Sequence, residues 1–252
     1  MNFYIVSLLD AMAEQNIAFF CNLNFVKSAA LFSDFQELSI RFKSVTDFYF
    51  QFLNKLEFLP FGARKSDYFG HYDFRNLTGY EQTVNQALTK INENKPFNDD
   101  VIPIHARYTD SDYLHLVVGL ARAGINSKGY LHLVDLCLPK SQIMHVPSNV
   151  TYVKDILGSY NIGEKQTVKE FVESKGYNYN HFQRHCKACF GDSFYSFRMK
   201  LNIMEAIGDI IFTAWSLKEV AFRNKFLDYA NMYKSFRSHG LNVKNVPRLA
   251  NL

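Results

Sequence analysis

One stretch, Thr167–Ala206, organises the chain, and its sequence is TVKEFVESKGYNYNHFQRHCKACFGDSFYSFRMKLNIMEA. Thr167 and Glu170 have the spacing of a capping box, in which a hydroxyl and a carboxylate three residues apart bond backbone N–H groups at the start of a helix. Gly176 supplies the positive-φ residue that ends such a helix, and Asn178 is placed to cap the next one. The pattern predicts two short helices joined by a tight turn, followed by a longer third helix.

Each short helix has one apolar face and one polar face. The apolar positions fall at helical spacing, and they are Val168, Phe171 and Val172 in the first helix and Phe182, Cys186 and Phe190 in the second. The other faces of the second helix carry Asn180, Gln183, Arg184 and Lys187. A helix, a glycine turn and a helix that offers amide and guanidinium groups follow the plan of a helix-turn-helix.

The length and the amino-acid composition indicate an ordered globular protein. The chain has 252 residues, of which 48% are hydrophobic, so it forms either one large domain or two of ordinary size. No apolar run approaches the roughly 18 residues that a membrane span needs. The N-terminus has no basic segment before its short apolar stretch, which argues against a secretory signal. We therefore expect a cytoplasmic protein with no membrane partner.

Charge is unevenly distributed along the chain. Residues 160–252 contain 14 Lys and Arg against 8 Asp and Glu, whereas residues 1–159 contain 14 against 16. A basic C-terminal third on a slightly acidic body predicts an anionic partner for the C-terminal part alone.

Cysteine and histidine residues give no metal-ligand pattern. Cys186 and Cys189 have the CxxC spacing, but no second CxxC or histidine pair completes a tetrahedral site, so we expect small core residues. Four histidines in the N-terminal half are candidate ligands of a metal or haem, but surface or hydrogen-bonded core histidines are favoured: His71, His105, His115 and His132. No cofactor and no metal is predicted.

The N-terminal half is predicted to be α+β. Residues 1–14 favour a helix and Ile17–Val26 favours a strand. Ser28–Leu59 suggests two helices, Pro60–Gly79 an irregular segment, and Glu81–Asn92 an amphipathic helix.

Three candidate strands follow: Val101–Tyr108, Tyr113–Arg122 and Tyr130–Leu138. A turn region at Gly124–Gly129 joins the last two, which predicts an antiparallel meander. A helix at about 150–158 leads to a boundary near residue 160, which divides the chain into domains 1–159 and 160–252.

The segment Val84–Pro139 resembles the last helix and the three closing strands of a PAS-type sensor domain. The alternative fold for this half is a cupin-like jelly roll, which needs many short strands with regular Gly and Pro turns. Because residues 1–95 are too helical for it, the PAS-like sensor is preferred.

The opening motif occurs twice. Ser216–Ala221 repeats Thr167–Val172 at an offset of 49 residues, and after the turn the offset becomes 50. A long helix over about 193–212 separates the copies, with an apolar stripe of Phe194, Phe197, Leu201 and Met204. Two such units on a stiff helix predict recognition helices about one DNA turn, roughly 34 Å, apart.

Residues 165–240 resemble the DNA-binding domain of AraC/XylS-type transcription regulators. The similarity lies in the tandem units, the Phe182–Arg184 segment of the first recognition helix, and Gly191-x-Ser-Phe before the linker helix. The resemblance implies an all-α domain of two helix-turn-helix units joined by a linker helix. It also implies a bacterial regulator that binds double-stranded promoter DNA, forms a homodimer and contacts RNA polymerase. The resemblance does not identify a small-molecule effector.

Three positions depart from the family pattern. Lys225 precedes Phe226 where the family has Gly in the second turn, and Asn202 stands where the linker helix often has Arg. The closing segment, Phe236–Leu241, is one residue shorter and lacks the usual Ser-Pro. We therefore expect the first unit to contact bases and the second unit to contact mainly phosphate.

The resemblance places base contacts on two sets of residues: Asn180, Gln183 and Arg184 in the first unit, and Tyr229, Tyr233 and Lys234 in the second, with Ala230 beside them. Gln can pair with adenine and Arg with guanine through two hydrogen bonds each. Tyr179, Lys187 and Arg237 suit phosphate contacts, which orient the protein without specifying sequence. The opposing interpretation is a polar helix surface, with Tyr229 and Tyr233 completing a small core.

Two function classes follow from these features. The first is a sequence-specific transcription regulator with an N-terminal sensing or dimerisation domain. The second is a signal-binding or interaction module whose degenerate second unit no longer binds specific DNA. An enzyme is not expected, because the sequence has no nucleophile elbow, phosphate-cradling loop, carboxylate pair or zinc motif.

Overall fold

The chain is mixed α+β, with a four-stranded antiparallel sheet and a helical C-terminal portion. The computed structural model describes residues 1–20, 35–73, 101–123, 128–160 and 166–249. The chain divides into two compact units. The sheet unit is Leu8–Asp47 with Phe61–Lys140, and the helical unit is Met1–Ser7 with Phe48–Pro60 and Ser141–Leu252. The domain division at residue 159 remains a prediction.

Eight α-helices and four strands lie in the described residues. In chain order they are α1 (Phe3–Phe20), α2 (Phe35–Lys55), β1 (Arg64–Asp73), β2 (Val101–Thr109), β3 (Tyr113–Ala123), β4 (Lys128–Pro139), α3 (Tyr152–Ser159), α4 (Val168–Ser174), α5 (Tyr179–Phe190), α6 (Phe194–Phe212), α7 (Leu217–Arg223) and α8 (Tyr229–Ser238). None of these helices combines the length and hydropathy needed to cross a membrane.

The sheet confirms the three predicted strands and adds one that was not predicted. Its order is β1-β4-β3-β2, with β2, β3 and β4 forming the expected antiparallel meander. The prediction of an irregular segment at Pro60–Gly79 was wrong for Arg64–Asp73, which pairs with β4 along its whole length. This edge strand is largely polar, so it lacks the apolar alternation that identifies a strand from sequence. The backbone hydrogen bonds of its antiparallel pairing with β4 stabilise it instead.

The N-terminal helices differ from their predicted bounds. Residues 17–20 continue α1, although their aromatic and β-branched composition predicted a strand. A single helix, α2, covers the described part of the region predicted to hold two. Thr46 lies within it, and its hydroxyl donates to the Phe42 carbonyl at 3.1 Å and the Lys43 carbonyl at 2.9 Å. Such bonds to the preceding turn let a β-branched residue remain helical.

Some predicted elements lie outside the described residues. They are the rest of the Ile17–Val26 strand, the start of the first helix in Ser28–Leu59, the Glu81–Asn92 helix and most of the Gly124–Gly129 turn.

The two faces of the sheet differ in character. One face carries aliphatic residues from the central strands, and Phe42 of α2 packs there with its ring 5.9 Å from that of His132. Lys43 and Lys65 form ion pairs with Asp67 and Asp47, respectively, which join α2 to β1. The opposite face carries the polar residues His115 and Asp135, both buried, together with Cys137.

The core of the helical unit forms around α6, which packs against α5, α7 and α8. The predicted apolar stripe is buried: Phe194, Phe197, Leu201 and Met204. Asn202 is fully buried, and neither polar atom of its side chain has a hydrogen-bond partner among the described residues. Because α6 packs against both neighbouring helix pairs, it fixes the orientation of each pair within the helical unit.

Candidate nucleic-acid interface

Both predicted capping boxes are present. The Thr167 hydroxyl accepts the Glu170 N–H at 3.3 Å, and the Glu170 carboxylate accepts the Thr167 N–H at 2.8 Å. Ser216 and Glu219 form the same pair of bonds at the start of α7, at 3.3 and 2.7 Å. Hydrogen bonds from Thr167 and from Ser216 lower the pKa values of Glu170 and Glu219, respectively. The two helix starts are therefore chemically equivalent.

The ends of α4 and α7 are also equivalent. After α4, the Tyr177 N–H donates to the Val172 carbonyl at 3.2 Å, and the Gly176 N–H donates to the Glu173 carbonyl at 2.9 Å. This pair of bonds is the Schellman ending of a helix, and it requires a residue with positive φ. Gly176 meets that requirement with a φ of 82°, as predicted.

The second turn repeats these bonds 49 residues later. The Phe226 N–H donates to the Ala221 carbonyl at 2.9 Å, and the Lys225 N–H donates to the Phe222 carbonyl at 3.2 Å. Lys225 therefore occupies the position of Gly176, with a φ of 60°. A residue with a Cβ is strained in this conformation. The second turn keeps the geometry of the first at a cost in backbone energy.

One inserted residue explains why the offset changes from 49 to 50. Asn178 caps α5 by accepting the His181 N–H, and Asp228 caps α8 by accepting the Asn231 N–H. The extra residue before the second cap is Leu227, whose side chain is 88% exposed. The insertion lengthens the second turn and adds an apolar side chain to its surface.

Replacing Lys225 with glycine is expected to raise the free energy of unfolding by about 1 kcal/mol, because glycine adopts positive φ without steric cost. The converse change, Gly176→Ala, is expected to lower it by a similar amount. Denaturant unfolding of both variants measures the two effects. Lys225→Ala is the control, since it removes the side chain but keeps the strained backbone. Equal stabilisation by Lys225→Ala and Lys225→Gly would contradict the strain argument.

The outward face of α5 carries the residues predicted for the first unit. Asn180, Arg184 and Lys187 are exposed, at the spacing that places them along one side of a helix. Gln183 is half-buried, and its Nε2 donates to the Tyr179 hydroxyl at 2.7 Å. That bond uses one amide hydrogen and leaves the Gln183 carbonyl oxygen and one N–H, the two groups that a bidentate pair with adenine requires.

The outward face of α8 is arranged in the same way but is more aromatic. Lys234 and Arg237 are exposed, and Tyr229 and Tyr233 are half-buried with ring centroids 6.2 Å apart. The Arg237 guanidinium donates to the Tyr233 hydroxyl at 3.4 Å. Ala230, exposed, takes the place that Asn180 has in the first unit. This face offers fewer groups that discriminate between bases than the face of α5.

The inward faces hold the helices in place. Phe182 and Cys186 of α5 are fully buried, as are Met232 and Phe236 at the matching positions of α8. Burial raises the pKa of the Cys186 thiol to about 12. Cys189 is also buried, so both cysteines of the CxxC pair are core residues, as predicted.

The charge on the outward faces has one sign. Neither Tyr179–Phe190 nor Tyr229–Ser238 contains an acidic residue. Sequence analysis did not single out Lys169 and Lys218, which are exposed at matching positions of α4 and α7. The 49-residue offset was the signal that could have identified them. Exposed carboxylates also lie on the first helix of each pair, Glu170 and Glu173 on α4 and Glu219 on α7, so the unmixed basic charge belongs to α5 and α8.

Aromatic contacts support the first turn. The Tyr177 ring stacks on that of Tyr152 with centroids 4.0 Å apart, and the Tyr152 hydroxyl hydrogen-bonds His185 Nδ1 at 2.9 Å. Tyr152 belongs to α3, so this helix supports the turn before α5. Its role was not apparent from the sequence, because α3 precedes the repeated motif.

The histidines of the sheet unit occupy different environments. His105 is partly exposed and pairs with Asp10 at 2.9 Å. His132 is buried against Phe42, and the side chain of His71 lies outside the described residues. His115 is buried in a polar cluster with Asp135 and Cys137.

The chain matches no protein-family model, no curated protein and no solved structure.

Proposed function

We propose that the chain is a sequence-specific DNA-binding transcription regulator of the AraC/XylS type. In this proposal α4–α5 and α7–α8 are two helix-turn-helix units, α6 is the linker helix, and α5 and α8 are the recognition helices. The observation that carries the proposal is the repeated geometry. Two helix pairs share their caps, turns and buried positions, and the second helix of each pair, α5 or α8, contains no acidic residue.

The roles of the two units follow from their outward groups. Arg184 and Gln183 read bases, with Asn180 beside them, while Lys187 and Tyr179 contact phosphate. In the second unit Lys234, Tyr229 and Tyr233 contact bases or sugars, and Arg237 contacts phosphate. The inserted Leu227 and the strained Lys225 support different roles for the two units, because both residues change the turn before α8 and have no counterpart in the turn before α5.

The described residues contain the three strands expected to close a PAS-like sensor, which would serve sensing or dimerisation. A homodimer on promoter DNA in the cytoplasm, in contact with RNA polymerase, completes the proposed function.

The first test is a selection of random DNA duplexes that bind the 252-residue chain, and it should yield a consensus sequence. Arg184→Ala is then expected to weaken binding to that consensus by about 5- to 150-fold and to relax one base position. Lys187→Ala should weaken binding to all sequences alike and reduce the slope of log affinity against log salt by about 0.9. Lys244→Ala, at an exposed cation on neither helix pair, is the matched control.

A second candidate is an interaction module without specific DNA binding. It is favoured by the exposure of Phe222 and Leu227, 80% and 88%, beside the second turn. If the library yields no consensus, or if Arg184→Ala and Gln183→Ala leave consensus and affinity unchanged, the regulator proposal fails and this candidate takes its place.

A further inference from the structure

Three metal-binding side chains lie together on the sheet face opposite α2. The register pairs His115 of β3 with Cys137 of β4, and Asp135 is two residues before Cys137 on the same side of its strand. All three are buried; the exposed fractions of His115, Cys137 and Asp135 are 7%, 4% and 2%, respectively. The backbone pairing of two central strands therefore brings an imidazole, a thiol and a carboxylate to one point.

Two of the three separations between the ligand atoms are close to those that one metal ion would impose. All three lie within 4.8 Å of one another. Cys137 Sγ is 3.7 Å from His115 Nδ1, whereas tetrahedral zinc places a sulfur and a nitrogen ligand about 3.6 Å apart. Asp135 Oδ2 is 2.8 Å from the same nitrogen, against about 3.3 Å expected around zinc. A side-chain shift of about half an ångström would admit the ion.

The second nitrogen of His115 has the partner that a metal-binding histidine typically has. Its Nε2 lies 2.9 Å from Asp110 Oδ2, in the turn between β2 and β3. Histidine ligands commonly donate their other N–H to a carboxylate, which fixes the tautomer and directs the free nitrogen at the metal. The Asp110 carboxylate is itself held by the Tyr113 N–H at 2.6 Å and the Asp112 N–H at 2.8 Å.

A buried oxygen of Asp135 adds an independent observation. Its side chain is 3% exposed, and Oδ1 has no hydrogen-bond partner among the described residues. A buried carboxylate oxygen without a donor is costly, and a cation at this point would remove that cost. The Tyr108 ring stacks on His115 at 4.4 Å and restricts the imidazole to the plane it has in the structure.

We propose that His115, Asp135 and Cys137 bind one transition-metal ion of the zinc type, with Asp110 orienting the histidine. A nitrogen, an oxygen and a sulfur ligand suit zinc, whereas magnesium and calcium prefer oxygen ligands alone. Three protein ligands leave a fourth position for water or a small ligand. The site belongs to the sheet unit and does not depend on the proposed DNA binding.

The test uses the 252-residue chain, stripped of metal with a chelator and titrated with Co²⁺ and then Zn²⁺. One Co²⁺ per chain is expected, with the visible bands of a tetrahedral ion and a thiolate-to-cobalt charge-transfer band. Zn²⁺ should displace it and abolish both signals. Cys137→Ser should lose the charge-transfer band, and Asp135→Asn and His115→Gln should lose stoichiometric binding.

Asp110→Asn is the variant that keeps the proposal testable if the buried substitutions unfold the sheet. The Asp110 side chain is 47% exposed, so the fold should survive, as circular dichroism can verify. The expected result is metal affinity lower by about 10- to 100-fold. His105→Gln on β2 and Cys186→Ala in α5 are the matched histidine and cysteine controls, and both should bind as the unmodified chain does. Absence of stoichiometric binding, or equal affinity for the unmodified chain and Asp110→Asn, would overturn the proposal.

Discussion

Replacement of Gly119 by alanine is expected to lower the free energy of unfolding by about 3 kcal/mol, because the added methyl group enters the neighbouring strand. Gly119 lies in the middle of β3. A Cβ at this position would be 2.3 Å from the His132 carbonyl oxygen and 2.5 Å from a methyl carbon of Leu133. The first contact is with backbone, so it can be relieved only if β3 and β4 move apart.

Gly158→Ala is the matched control for this prediction. Gly158 is exposed in α3, and a Cβ there would meet nothing within 4 Å. Alanine is favoured over glycine in a helix by up to about 1 kcal/mol, so this variant should be as stable as the unmodified chain or more stable. Denaturant unfolding of both variants gives the comparison. Equal stability of Gly119→Ala and the unmodified chain would show that the strands tolerate the methyl group.

The sequence could not identify Gly119 as a constrained position. It lies in an apolar run that predicts a strand with or without the glycine, and the close approach comes from β4. The polar cluster was hidden in the same way. His115 and Cys137 are 22 residues apart, and only the strand register makes them neighbours. Weighing the histidines by sequence spacing alone therefore favoured an ordinary role for His115.

Local signals, in contrast, were predictive. A capping box is formed by residues three apart, and a Schellman turn needs one residue with positive φ, so Thr167, Gly176 and Ser216 could be placed from the sequence. Lys225 was noted only as a departure from the family's glycine, and its positive φ is a finding of the structure. The edge strand β1 was missed because its stability comes from pairing with β4, which a local pattern does not contain.

The interface residues could be predicted only in part from the sequence. Helical periodicity places Asn180, Arg184 and Lys187 on one outward face, and the structure has them exposed. The bond between Gln183 and Tyr179 was not predicted, although the residues are four apart, because either side chain could equally have faced solvent. Base reading by these residues remains a prediction that the library selection can test.

Phe197→Ala is expected to lower the free energy of unfolding by about 3–5 kcal/mol, the range found when a buried phenylalanine is removed. Phe197 is 1% exposed in α6. Its ring stacks on Phe190 with centroids 4.1 Å apart, and Phe58 packs against it edge-on at 5.8 Å. Tyr4 lies 6.5 Å away, so the lost ring would leave a cavity lined by residues from three parts of the helical unit.

Tyr195→Ala is the control, because Tyr195 is an aromatic residue of the same helix that is 58% exposed. Its removal should change stability by about 0.5 kcal/mol or less, as surface substitutions usually do. Comparison of Phe197→Ala with Arg184→Ala also distinguishes a loss of folding from a loss of DNA contacts. For the proposed DNA binding, Phe197→Ala should reduce affinity only in proportion to the unfolded fraction, whereas Arg184→Ala should reduce affinity with stability unchanged. A Phe197→Ala protein as stable as Tyr195→Ala would mean that this aromatic cluster does not hold the helical unit together.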